Sequence, residues 1–152
     1  MTYPVDPGQV GGCVIQSDSG SDHLRSRGVD EQFDRLLEQA RAAEADPDPG
    51  AGLARIVRAA VLMEVGDPGS AEVFAAPDDA GAATAAKKAE LTATCERVPA
   101  RARATGAVRP DLTPADVRRL VCGIGCAARL CGGGPRERAG RCIDLVIAGT
   151  RP

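Results

Sequence analysis

Tryptophan is absent from the 152 residues, tyrosine occurs once and phenylalanine twice, so aromatic residues make up only 2% of the chain. Readers of single-stranded nucleic acid stack bases on aromatic platforms, and there is too little ring surface here to build one. Histidine is as scarce: His23 stands alone in a polar, Gly- and Ser-rich stretch, which leaves Ser-His-Asp and Cys-His schemes without a base. Positive charge is not in excess either. The 19 basic and 21 acidic residues give a formal net charge of -2, so no global field draws the chain to phosphate backbones. No stretch approaches the roughly 20 apolar residues of a membrane-spanning helix, and the N-terminus lacks the basic-then-apolar order of a secretory signal. The expectation is therefore a cytoplasmic chain with no membrane partner, whose six cysteines are free thiols.

What the chain does have is aliphatic: 43% of it is hydrophobic, and at this length folding buries roughly two-thirds of the unfolded surface. Residues 1–28 carry Pro4, Pro7 and five glycines without a helical period and read as irregular or disordered. From Val29 the pattern changes. Phe33, Leu36, Leu37, Ala40 and Ala43 recur at three- and four-residue steps among acids, an amphipathic helix stopped by Asp46-Pro47-Asp48-Pro49-Gly50. A second helix follows with Leu53, Ile56, Val57, Ala60 and Val61 on its stripe and Glu64 at the edge, ending at Gly66-Asp67-Pro68. A short helix is expected over 70–76, and a long Ala-rich one from about 79 to Gly106, with a kink or break at Pro99.

Thr113-Pro114-Ala115-Asp116 is a strong start signal, combining a Thr N-cap, a Pro in the first turn and an acid three residues on to complete a capping box. Val117, Leu120, Val121, Ile124 and Ala128 form the stripe behind it. After Gly132-Gly133-Gly134 a last helix runs from Pro135 to about Gly149. No segment alternates with period two over strand length. The expected fold is all-α, a bundle of about six helices, with an N-terminal segment at 1–28 and one domain at 29–152.

Few motifs carry chemistry. Cys122 and Cys126 lie one turn apart on a helix face and could offer two thiolates to a metal, with Cys131 and Cys142 nearby in sequence, but structural zinc sites draw their ligands from closely spaced pairs in loops. Cysteine as a small hydrophobe at close helix contacts explains the same positions, Cys95 included. Arg97, Arg101, Arg103, Arg109, Arg118 and Arg119 form a loose basic cluster without a groove-entering, base-reading motif. The triple glycine lacks the Gly-Lys-Ser/Thr ending of a phosphate loop, and Asp78-Asp79 suits a helix start, where the dipole favours acids. No catalytic residue, metal site or cofactor is expected, and the chain does not read as an enzyme.

The segment Gly106-Ala107-Val108-Arg109-Pro110-Asp111-Leu112-Thr113-Pro114 leads into a helix containing Gly123-Ile124-Gly125, and the chain closes on Gly149-Thr150-Arg151-Pro152. These features resemble the C-terminal, regulatory half of TetR-family transcriptional repressors, over roughly residues 29–152. The resemblance implies an all-α domain whose middle helices surround a small-molecule pocket and whose last two helices pair with those of a second subunit. The family's N-terminal helix-turn-helix unit has no counterpart in the 28 residues before the first expected helix, so direct DNA binding by this chain alone is not expected. Residues 30–45 would match the helix that links the two halves.

The resulting expectation is a TetR-like regulator domain that binds an effector and homodimerises. An apolar effector is assigned to Leu53, Val57, Met63, Phe74, Cys95 and Ile124. The dimer interface is assigned to Val117, Leu120, Val121, Ile124, Cys142, Leu145 and Val146, whose stripes serve a partner surface or the chain's own core. The alternative is a cysteine-based metal or redox sensor working through Cys122, Cys126 and Cys142.

Overall fold

A computed structural model describes residues 22–67, 69, 82–130 and 134–152. The described residues form five helices and no strand: α1 (Asp22–Glu44), α2 (Pro49–Gly66), α3 (Ala82–Ala104), α4 (Pro114–Leu130) and α5 (Pro135–Gly149). The all-α expectation holds. The short helix expected over 70–76 lies outside the described residues.

The helix ends follow from local chemistry. Asp48 is the N-cap of α2, its carboxylate accepting from the amides of Gly50 at 2.9 Å and Ala51 at 3.2 Å, with Pro49 in the first turn where no amide partner is needed. At the start of α4 the Thr113 hydroxyl accepts from the Asp116 amide and Asp116 in return accepts from the Thr113 amide, both at 3.1 Å, a complete capping box. Gly106 closes α3 at φ 72°, the left-handed conformation that lets the Ala107 amide reach back to the Ala102 carbonyl at 2.9 Å.

Two expected features differ. First, α1 starts at Asp22 instead of near Val29, carrying about two mostly polar turns ahead of its apolar stripe. Gly28 sits inside it, exposed, with open space where a side chain would be. Second, α3 is unbroken across Pro99. Pro99 is fully buried, so the packing of its ring offsets the roughly 3 kcal/mol that proline costs inside a helix.

The stripes meet as their spacing requires. Phe33, Leu36, Leu37, Ala40 and Ala43 of α1 are buried against Leu53, Ile56, Val57 and Val61 of α2 and Leu91, Val98 and Ala102 of α3. The ion pairs Asp34–Lys87, Arg41–Glu90 and Glu44–Arg97 rise in number together, so α1 and α3 lie side by side in the same direction. Arg101 holds the end of α1, donating to the carbonyls of Glu44 at 2.8 Å and Asp46 at 2.6 Å. α2 packs against every other described helix. Its close approaches are made by glycine: a Cβ on Gly52 would collide with the Ala43 carbonyl, and one on Gly125 of α4 would collide with the Glu64 carboxylate. At the far end, the Arg109 amide donates to the Thr150 carbonyl at 2.8 Å, pinning the C-terminus to the loop before α4.

Candidate functional site: an apolar cavity with one buried carboxylate

A cavity of about 110 Å³ opens where α2, α3 and α4 converge, with Leu36 of α1 at its side. Ile56, Val57, Ala60 and Met63 of α2 form one wall and Val117 and Val121 of α4 another. α3 adds Thr92, Cys95 and Glu96. The volume compares with an engineered core cavity of about 150 Å³ that accepts benzene, so the space suits a single-ring molecule.

Three charged side chains interrupt the apolar lining. Glu64, near the end of α2, is only 7% exposed. Its backbone carbonyl accepts from Arg129 at 2.9 Å, which ties the end of α2 to α4, and its side chain lies over Gly125 beside the Cys122 thiol. Arg118 and Glu96 are exposed and flank the opening. Both cavity thiols are held in the protonated form. Burial, with the charge of Glu96 adding to it, pushes Cys95 up to about 11. Partial burial, then the negative charge of Glu64, raises Cys122 from the ordinary thiol range.

Of the residues expected to bind an effector, Val57, Met63 and Cys95 line this cavity together. Leu53 and Ile124 are buried in the core but do not line it, and Phe74 lies outside the described residues. Of the expected interface residues, Val117 and Val121 face the cavity, and Ile124 is buried within the chain. Cys142 is half-buried against the core, and Leu120 and Val146 share a shallow surface groove with Asp116 and Thr150. Leu145 is open to solvent at 66% exposure. Leu130, at 80%, joins it as the second large apolar side chain so exposed among the described residues, a position the stripe reading missed. Glu64 was missed as a site residue too. The signal was its place on the Val57–Val61 stripe, one turn further on.

The other motifs are absorbed into the architecture. Arg97 pairs with Glu44, Arg109 with Asp111 and Arg119 with Asp116, while Arg101 and Arg103 donate to backbone carbonyls. Gly134 is the N-cap residue of α5. No cluster of three or more His, Cys, Asp or Glu side chains is arranged to hold a metal among the described residues, and Cys13 and Cys131 lie outside them. No described helix is long and apolar enough to cross a membrane.

The described helices form an all-α bundle that keeps a small apolar cavity between α2, α3 and α4. The match in sequence is more specific: residues 48–152, from the N-cap of α2 to the last residue, match the family described as "Transcriptional regulator SbtR-like, C-terminal domain". The chain belongs to this TetR-type family of transcriptional-regulator domains. No curated protein matches it.

Proposed function

We propose that this chain supplies the effector-binding and homodimerising part of a TetR-type transcriptional regulator. The observation that carries the reading is the cavity between α2, α3 and α4, apolar on most of its surface and lined by side chains from helices packed on one another. A molecule seated there touches α2 and α4 at once. α4 in turn carries the surface expected to meet a second copy, so occupancy of the cavity is coupled to the geometry of the pair.

The dimer reading draws on the outer faces of α4 and α5. Leu120, Gly123, Ala127 and Leu130 follow one another at helical steps on α4, and Leu145 and Ala148 do so on α5, all half-exposed or exposed. Small residues in such a row let a partner helix approach closely, and the exposed leucines supply the apolar area. The described helices are not proposed to read DNA, because five of the six clustered arginines are engaged inside the chain.

The test is a thermal-shift and calorimetric screen with single-ring apolar compounds on the wild type and on Ala60→Trp, which fills the cavity. Binding to the wild type with none to the filled variant supports the proposal. Equal binding by both places the ligand elsewhere and overturns it. The raised Cys122 thiol argues against its part in the sensor alternative, since thiolate is the form that binds metal or reacts with oxidant.

A further inference from the structure

We infer that the effector of this cavity is a small apolar amine whose ammonium group pairs with Glu64. The inference rests on the effector-binding reading above and narrows it to one ligand chemistry.

Glu64 is the anchor because of where it is held. Its side chain is more than nine-tenths buried in the wall of an otherwise apolar cavity, and it forms no ion pair with a described residue. Its side-chain partner is the Cys122 thiol, a weak hydrogen-bond donor. A carboxylate taken out of water loses several kcal/mol of solvation unless a full positive charge or several strong donors replace it, and one thiol does neither.

The carboxylate cannot easily turn away. Arg129 fixes the backbone at Glu64, and Gly125 leaves just the room that the side chain fills: a Cβ there would run into the carboxylate and lie 3.1 Å from the Glu64 Cβ. Helix α4 is thus shaped around an acid. The remaining polar groups of the lining are the Thr92 hydroxyl, the Glu96 carboxylate and the Arg118 guanidinium, with the last two at the exposed rim. In the lining as a whole, two acids face one base, and the buried member of the three is the acid Glu64. An anionic ligand would meet Glu64 at close range in a poorly screened space. A neutral donor would give Glu64 a hydrogen bond but no opposite charge. A cation with an apolar body satisfies both the carboxylate and the walls, and the volume of about 110 Å³ holds that body to about one ring.

Three probes of nearly equal shape separate the possibilities: 2-phenylethylamine, 2-phenylethanol and phenylacetate, titrated calorimetrically into the full chain at neutral pH. The amine is expected to bind about ten-fold more tightly than the alcohol, with the acid weakest, the margin a charged donor holds over an uncharged one on a carboxylate. Glu64→Gln, which keeps the side chain's shape, is expected to bring the amine down to the alcohol's affinity and leave the alcohol unchanged. The wild-type ranking tests the inference even if that variant does not fold. An amine that binds no better than the alcohol, or that keeps its advantage in Glu64→Gln, overturns it. Binding of the alcohol without preference for the amine overturns the amine assignment alone and leaves the apolar cavity reading intact. Failure of all three probes overturns both.

Discussion

Two glycines two residues apart on α4, about half a turn, have opposite duties. At Gly125 a methyl group would strike the Glu64 carboxylate, so Gly125→Ala should destabilise the domain by about 1–3 kcal/mol, the usual cost of forcing a packed contact apart. At Gly123 a methyl group would meet nothing within 4 Å, and Gly123→Ala should stabilise the monomer by about 0.5–1 kcal/mol through the backbone entropy glycine loses in a helix. Urea unfolding of the two variants measures both signs. Cys95 makes a second prediction at this scale. Its folded value of about 11 stands above the ordinary 9.0, so folding favours the thiol form. The associated stability is complete below about pH 9 and is lost as pH rises toward 11. Site-resolved alkylation should find Cys95 slow at pH 8 and accelerating as pH rises toward 11.

Among the helices, those with chemical signals at their ends could be read from sequence, and those without could not. Asp48-Pro49, Thr113-Pro114-Ala115-Asp116 and Gly106 each set a boundary through bonds that the side chains or backbone make locally. The start of α1 has no such legible stripe, because its first turns are polar and rest on helix propagation from the apolar part that follows. Pro99 misled for the opposite reason: a local rule against proline was overridden by burial, which is a property of the assembled bundle. The capping box offers the test at this scale. Thr113→Ala should cost about 1 kcal/mol in chemical denaturation. The hydrogen bonds from Thr113 hold Asp116 below the usual carboxylate range, so its contribution is present at neutral pH and is lost as pH falls through that lowered value. Carboxyl-resolved NMR titration should show Asp116 moving back up in the Thr113→Ala variant.

At the scale of the whole molecule, the apolar stripes were legible but their destinations were only partly so. Periodicity marks Val117 and Val121 as inward-facing without saying whether the interior is core, cavity or partner; the crossing of α2, α3 and α4 makes them cavity wall. Leu145 is the residue whose exposure leaves a role for a second copy, and it carries the fourth prediction. Leu145→Glu should leave the helical content of the chain at the wild-type level, since the side chain is exposed on α5. In light scattering over a dilution series with reductant and chelator, it should shift the wild-type dimer to a monomer. A wild-type chain that is monomeric throughout would remove the homodimer proposal. The position of α2, in contact with every other described helix, has a consequence for how the domain comes apart. A bundle hinged on one shared helix has no peripheral layer that can exchange its amides while the remainder stays closed. Opening at any seam that involves α2 loosens the others, and a molecule bound against α2 slows hydrogen exchange across the entire domain instead of around its own site.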